Sequence, residues 1–371
     1  MKKQIIILGI IALIAGGYYG RAMTNENFYV CQQDTLTREI VYASDDPLFL
    51  QILQFQEFLY SHTKPQDFNV FYLWDVNGYQ YIDRDVGFIT LSDIYHLSEH
   101  PDSLAIPDLS DYKKENIEYI KLNSEYRNRF LSKTKISETD SVFVYDYFND
   151  VLLSFPVKNL DVVAYLNAYK RADDCFPGSY NYYRPCNQDD YMIGFEIDRS
   201  LLTGLYKHFI NTLVCVGKEN PFVQGQMKPI VWKKIDSNDF PVAKAEFQFA
   251  NITKGDVYLS ESDEFQYFIH DFVRTNGWIS EVRHLLIIDK KNEKRVVERV
   301  FYESEGTSLV PLSLEIDWNA EYLYIPQWTG YLFKNKPPVV FYFVDESDSC
   351  SHITQIDSTE GDIWISCDNR H

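Results

Sequence analysis

The sequence predicts an α+β fold. An N-terminal antiparallel sheet of β-hairpins with helices precedes a mainly β, antiparallel, sandwich-like part, and disulfides stabilise the whole. Three observations carry this expectation. As far as residue 216, β-rich runs beside Asn-Gly and Asn-Asp turns alternate with helix-like stretches. From residue 230 onward, short apolar runs are separated by turn residues. Six cysteines, an even number, all lie beyond an apolar N-terminal run.

The N-terminal run sets the compartment. Lys2 and Lys3 precede 16 residues (5–20) without a charge, and Arg21 is the first charge after them. A short positive start followed by an apolar stretch is the pattern of a secretory signal, with Gly20-Arg21-Ala22 as a small-x-small cleavage site. The run falls just short of the ~17–25 residues of a spanning helix. Tyr18 and Tyr19 nevertheless stand where an interfacial aromatic belt belongs, and the two lysines would hold the N-terminus inside. Residues 1–22 thus read as a signal peptide or as an N-terminal membrane anchor. Both readings describe an exported bacterial-type envelope protein, periplasmic or anchored in the inner membrane and facing the periplasm.

Cysteine usage points the same way, because exported chains keep disulfides. Six cysteines allow 15 pairings. Cys175 with Cys186 and Cys350 with Cys367 each close a short polar loop, which leaves Cys31 to join Cys215. No C-x-x-C or C-x-x-H spacing marks a zinc site.

The elements follow in order. Residues 45–61 read as a helix, capped by Asp45 or Asp46, with Pro47 in its first turn and Leu50, Leu53, Phe55, Phe58 and Leu59 on one face. Val70-Phe71-Tyr72-Leu73-Trp74 leads into Asn77-Gly78, a strong hairpin signal, and the chain returns over 79–82. A short helix is expected at 91–97. The order then recurs: residues 142–145, a turn at Asn149-Asp150, a return over 151–155, and a capped helix at 159–169. Between the two units the charged stretch 111–133 reads as a surface helix, and 201–216 as another with Leu202, Leu205, Phe209, Leu213 and Val214 buried. These elements form an α+β domain over 30–216. Gly217, Pro221, Gly225 and Pro229 punctuate a linker at 217–229. A mainly β domain over 230–345 is expected from runs at 230–232, 245–249, 257–259, 284–288, 296–302, 322–325 and 339–344. Its prolines (Pro311, Pro326, Pro337, Pro338) belong at strand edges and turns. Residues 346–371 read as a polar tail pinned by its own disulfide.

Composition narrows the function classes. Hydrophobic content of 45% is that of a folded globular protein. A net charge of −19 repels phosphate backbones, so nucleic acid is excluded as the expected partner and a cationic protein is favoured. Membrane contact is expected only through the N-terminal segment. No nucleophile elbow, Walker loop or dinucleotide-binding turn occurs, and no cofactor is implied. Asp75-Val76-Asn77-Gly78 with Asp83 and Asp85 does not fit an EF-hand: glycine falls fourth rather than sixth, and Val86 stands where glutamate is needed.

Two candidate sites remain. His96-Leu97-Ser98-Glu99-His100 fits the H-x-x-E-H pattern of inverted zinc peptidases, in which two imidazoles one helical turn apart hold a metal and the glutamate polarises its water. Pro101 follows directly and tends to end the helix there. The second candidate is the stretch between Cys175 and Cys186, where Tyr180, Tyr182, Tyr183 and Arg184 stand among Ser179 and Asn181. The chain is rich in aromatics, with 28 tyrosines and 25 phenylalanines, and a cross-linked loop of this composition is typical of a recognition surface. The expected role is therefore non-catalytic protein binding, an immunity-type protein being one concrete form. The alternative is an envelope zinc-dependent hydrolase using His96, Glu99 and His100.

Overall fold

A computed structural model of the chain describes residues 66–76, 81, 83–95, 104–206, 209, 211–241, 252–274, 280–304, 306–315, 327–346 and 350–368. The N-terminal segment, the helix expected at 45–61, Cys31, the Asn77-Gly78 turn, the His96 motif and the runs at 245–249 and 322–325 lie outside these residues.

The expected α+β architecture is corrected to a mostly β one. Of the described residues 44% are strand and 13% helical, with a single α-helix, Ser124–Thr134. The helix expected at 159–169 is instead the strand Asp161–Leu166, and the last five residues of 201–216 belong to the strand Thr212–Gly217. Both segments are apolar runs rich in valine. From Val162 to Leu166 every residue is buried, so both faces of the strand are covered. Such a run carries no alternation to distinguish it from a buried helix. Of the stretch 111–133, Lys114–Asn116 is a 3-10 turn and Tyr119–Lys121 a strand. The helix starts only where Asn123 caps it, accepting from the amides of Glu125 and Tyr126. It ends at Lys135, which takes a left-handed conformation (φ 59°).

A nine-stranded sheet runs through the molecule in the order Met227–Pro229, Trp328–Gly330, Val339–Phe341, His352–Gln355, Ile363–Ser366, Val70–Tyr72, Thr212–Gly217, Ser141–Asp146 and Val151–Pro156. Its pairs are antiparallel except at the centre, where Val70 lies opposite Ile365 in a parallel pair. Strands from both sides of residues 217–229 therefore share one ladder, and Met227–Pro229 is itself an edge strand. Residues 352–366 are likewise built into the sheet, and the Cys350–Cys367 bond closes their hairpin.

A five-stranded sheet packs on one face of this ladder. Its order is Trp74–Asp75, Val86–Thr90, Tyr191–Asp198, Asp161–Leu166 and Tyr119–Lys121. Phe71, Val144 and Val214 from the large sheet share a core with Ile89, Val162, Ala164 and Phe195, and Phe130 of the helix is fully buried among them. Gly194 permits the pairing with Val86–Thr90, since a Cβ there would stand 1.8 Å from the Ile89 carbonyl oxygen.

The other five-stranded sheet is an antiparallel meander, Lys233–Ile235, Ile252–Glu261, Phe265–Arg274, Ser280–Asp289 and Lys294–Tyr302. One face joins Trp232, Tyr267, Ile269, Leu285 and Ile287 to Val340 and Phe343 in a common core. The cross-strand pair Asp271 and Arg283 is buried and doubly hydrogen-bonded, at 2.8 and 3.1 Å.

Candidate functional site: the disulfide-closed tyrosine loop

Between Asp161–Leu166 and Tyr191–Asp198 the chain leaves one end of its sheet and returns. The excursion is closed at its base by the Cys175–Cys186 disulfide, with Cα atoms 4.8 Å apart and both residues buried. Short 3-10 turns flank it, Ala172–Cys175 on entry and Gln188–Asp190 on exit.

Asp190 holds this base together. It is 6% exposed and receives both Arg184 amines, Nη1 at 2.6 Å and Nη2 at 3.1 Å. Lys170 Nζ lies 3.0 Å away and the Asn187 amide donates at 2.9 Å. Burial alone would raise the carboxyl pKa, but Arg184, the Asn187 amide and Lys170 outweigh it and hold the pKa below the usual value. The guanidinium of Arg184 is correspondingly raised, chiefly by its bonds to Asp190. Arg184 thus turns inward to secure the loop, and the recognition face belongs to the tyrosines.

Tyr180 and Tyr183 are 101% and 90% exposed. The loop positions them without packing them: Ser179 Oγ donates to Asp174 Oδ1 at 2.7 Å, and the Tyr182 amide donates to the Ser179 carbonyl at 3.2 Å. Tyr182 is half-buried and lines an adjoining cleft. Two further exposed tyrosines stand at the segments that lead into the loop. Tyr169 lies in a turn whose Asn167 amide donates to the Asp190 carbonyl at 2.8 Å. Tyr81 hydrogen-bonds Asp173 Oδ1 at 3.3 Å, and Lys114 pairs with the same carboxylate. These two sit outside the cysteine loop in sequence. Tyr169 had no legible signal, because the sequence places it inside an expected helix at 159–169.

The cleft has a volume of about 490 Å³. Residues 104–110 form one wall and the cross-linked loop the other, with Ile117 and the disulfide between them. The Ala105 amide donates to Gln188 Oε1 at 2.8 Å, tying the walls together. The lining is mainly apolar and carries one charged side chain, Asp108. Its size and character are those of a ligand or peptide cleft, and its chemistry is recognition: apolar contact, hydrogen-bond acceptors and one carboxylate.

A second group of buried ionisable residues lies in the meander, which the sequence reading missed. His270 and His284 are direct cross-strand partners. His284 Nε2 lies 3.2 Å from Glu298 Oε1, and Arg295 Nη1 donates to the other oxygen at 2.8 Å. His270 stacks on Phe272 with ring centroids 4.4 Å apart, packs on Phe240 at 5.1 Å, and its buried Nε2 has no hydrogen-bond partner among the described residues. Burial first, then the nearby charge of His284 and Lys254, lowers its pKa from 6.5 to about 4.

Among the described residues no group of three His, Cys, Asp or Glu side chains is arranged to hold a metal, and no helix is long and apolar enough to cross a membrane. His96, Glu99 and His100 fall outside them. Cys215 is buried and meets no other cysteine among the described residues, and burial raises its thiol pKa; its expected partner Cys31 lies outside the described residues. The two disulfides accord with an exported chain. Comparison with known proteins finds no matching family model, no similar curated protein and no similar solved structure.

Proposed function

We propose that the chain is an exported, non-catalytic binding protein of the bacterial envelope, periplasmic or inner-membrane-anchored, that engages another protein through the tyrosine loop. One observation carries the reading: Tyr81, Tyr169, Tyr180 and Tyr183, all exposed, gather around a single cross-linked loop beside an apolar cleft. Exposed aromatic rings on a rigid support are the usual source of contact area at protein interfaces, because two χ angles cost little entropy to fix. The disulfide and the Asp190 clamp fix the loop before it binds, which lowers the ordering cost of association. The strongly negative chain favours a cationic partner and speeds its approach.

Photo-crosslinking in the producing cell tests this. A photoreactive phenylalanine at Tyr180 or Tyr183 is expected to yield one discrete protein adduct. The same probe at Leu314 or Tyr331, which are exposed elsewhere, is expected to yield none. Adducts from the control positions with none from the loop would defeat the proposal.

A further inference from the structure

We infer that the cleft beside the loop takes an arginine or lysine side chain carried on an extended segment of the partner protein; this rests on the reading of the loop as a binding site. The inference starts from which hydrogen-bonding groups the cleft offers. Pro107 and Pro177 line it, and a proline brings a carbonyl to a surface without an N–H; the carbonyl of Pro185, also in the lining, already accepts from Arg184 Nη1 at 3.1 Å. Asp108 is exposed at the wall; the Ser110 amide occupies its Oδ1 at 3.0 Å, and Oδ2 has no hydrogen bond among the described residues. The side-chain amides of Asn187 and Gln188 also line the cleft, so its polarity is mixed, and the Asp108 carboxylate is the one charged group that selects between a cation and an anion.

The neighbouring cations are already committed. Arg184 and Lys170 converge on Asp190, Lys114 is paired with Asp173, and Arg129, which reaches the Leu104 carbonyl at the mouth, is paired with Glu125. The cleft's one charged group, Asp108, thus has no positive partner among the described residues. The apolar walls suit the rest of the same side chain. Arg and Lys lay their methylene stems along apolar surface while the head stays polar, and Ile106, Leu109 and Tyr182 supply that surface. The face of Tyr182 offers the ring contact that a guanidinium prefers. A volume of about 490 Å³ admits a long side chain with the backbone on either side of it. An extended segment is required because the cleft lies between two walls rather than on an open face.

The test uses the full oxidised chain and a displayed library of random eight-residue peptides. Peptides selected on the wild type are expected to share one position enriched in Arg or Lys. Replacing that arginine by citrulline, which keeps the shape and removes the charge, is expected to weaken binding about tenfold, or about 1.4 kcal/mol. On Asp108→Asn the two peptides should differ by less than about twofold, with the melting temperature unchanged because Asp108 is exposed. Selected peptides without a basic position, or equal binding of the arginine and citrulline forms, overturn the inference. If Tyr180→Ala with Tyr183→Ala still abolishes binding in that case, the loop remains the binding site. Binding indifferent to Asp108→Asn and to both tyrosine substitutions overturns the inference and the underlying reading together.

Discussion

Replacing His270 with phenylalanine should make the protein markedly less sensitive to acid. His270 is 6% exposed, stacked on Phe272 and packed against Phe240, and its Nε2 has no hydrogen-bond partner among the described residues. The folded state therefore keeps the ring neutral until the pH falls to about 4, whereas the unfolded chain takes up a proton near 6.5. Below 6.5 the unfolded state binds more protons than the folded one. Stability is then fully present above 6.5 and drains away as the pH falls towards 4. At pH 4.5 the loss is about 2.5 kcal/mol, using ~1.36 kcal/mol per pKa unit and allowing for partial protonation of the folded ring. Phenylalanine nearly preserves the volume, stays apolar, and removes the titration. Urea unfolding followed by far-ultraviolet circular dichroism at pH 7.5 and 4.5 gives the measure. Other groups titrate over this range in both proteins, so the decisive quantity is the difference between the two slopes. The wild type should lose about 2.5 kcal/mol more than His270→Phe on acidification. Equal losses would show that His270 is not held neutral by its surroundings, and the reasoning from burial would fail.

Other consequences follow from the same geometry. Cys175→Ala with Cys186→Ala opens a loop of sequence separation 11 and should cost about 3 kcal/mol in urea unfolding, with new proteolytic cuts between the two positions. Asp190→Ala leaves Arg184 and Lys170 without their shared carboxylate and should destabilise the fold by about 3 kcal/mol, whereas Tyr180→Ala should change stability by less than about 0.5 kcal/mol. Gly194→Ala drives a methyl into the Ile89 carbonyl and should destabilise by about 4 kcal/mol or prevent soluble expression, read from yield and thermal melting.

The loop was the most legible part of the molecule. Two cysteines 11 residues apart around tyrosine and serine announce a closed, exposed loop, and Cys350 with Cys367 did the same for a hairpin. Strands in the meander were legible too, because the runs at 257–259, 284–288 and 296–302 are bounded by turn residues and lie inside long antiparallel strands. The first half was misread as α+β for a physical reason. Asp161–Leu166 and Thr212–Gly217 are apolar on both faces, and a strand covered on both sides lacks the period of two that would reveal it. The pairing of Val70 with Ile365 spans nearly the whole chain and leaves no local mark, so an apparent linker at 217–229 concealed one continuous sheet. Arg184 looked like a contact residue by composition; its partner Asp190 stands six residues on, and only the fold shows that the two meet. His270 and His284 are separated by 14 positions and become neighbours through strand register alone.

The most direct test of the central claim is the affinity of the crosslinked partner, once purified, for the wild type and for Tyr180→Ala with Tyr183→Ala. Both rings are almost wholly exposed, so the double substitution should leave the melting temperature unchanged. If the loop is the recognition surface, binding should weaken at least about 100-fold, the sum of two interface aromatics at about 1.4 kcal/mol or more each. An affinity unchanged within about twofold, with the fold intact, would contradict the account and move the binding site away from the loop.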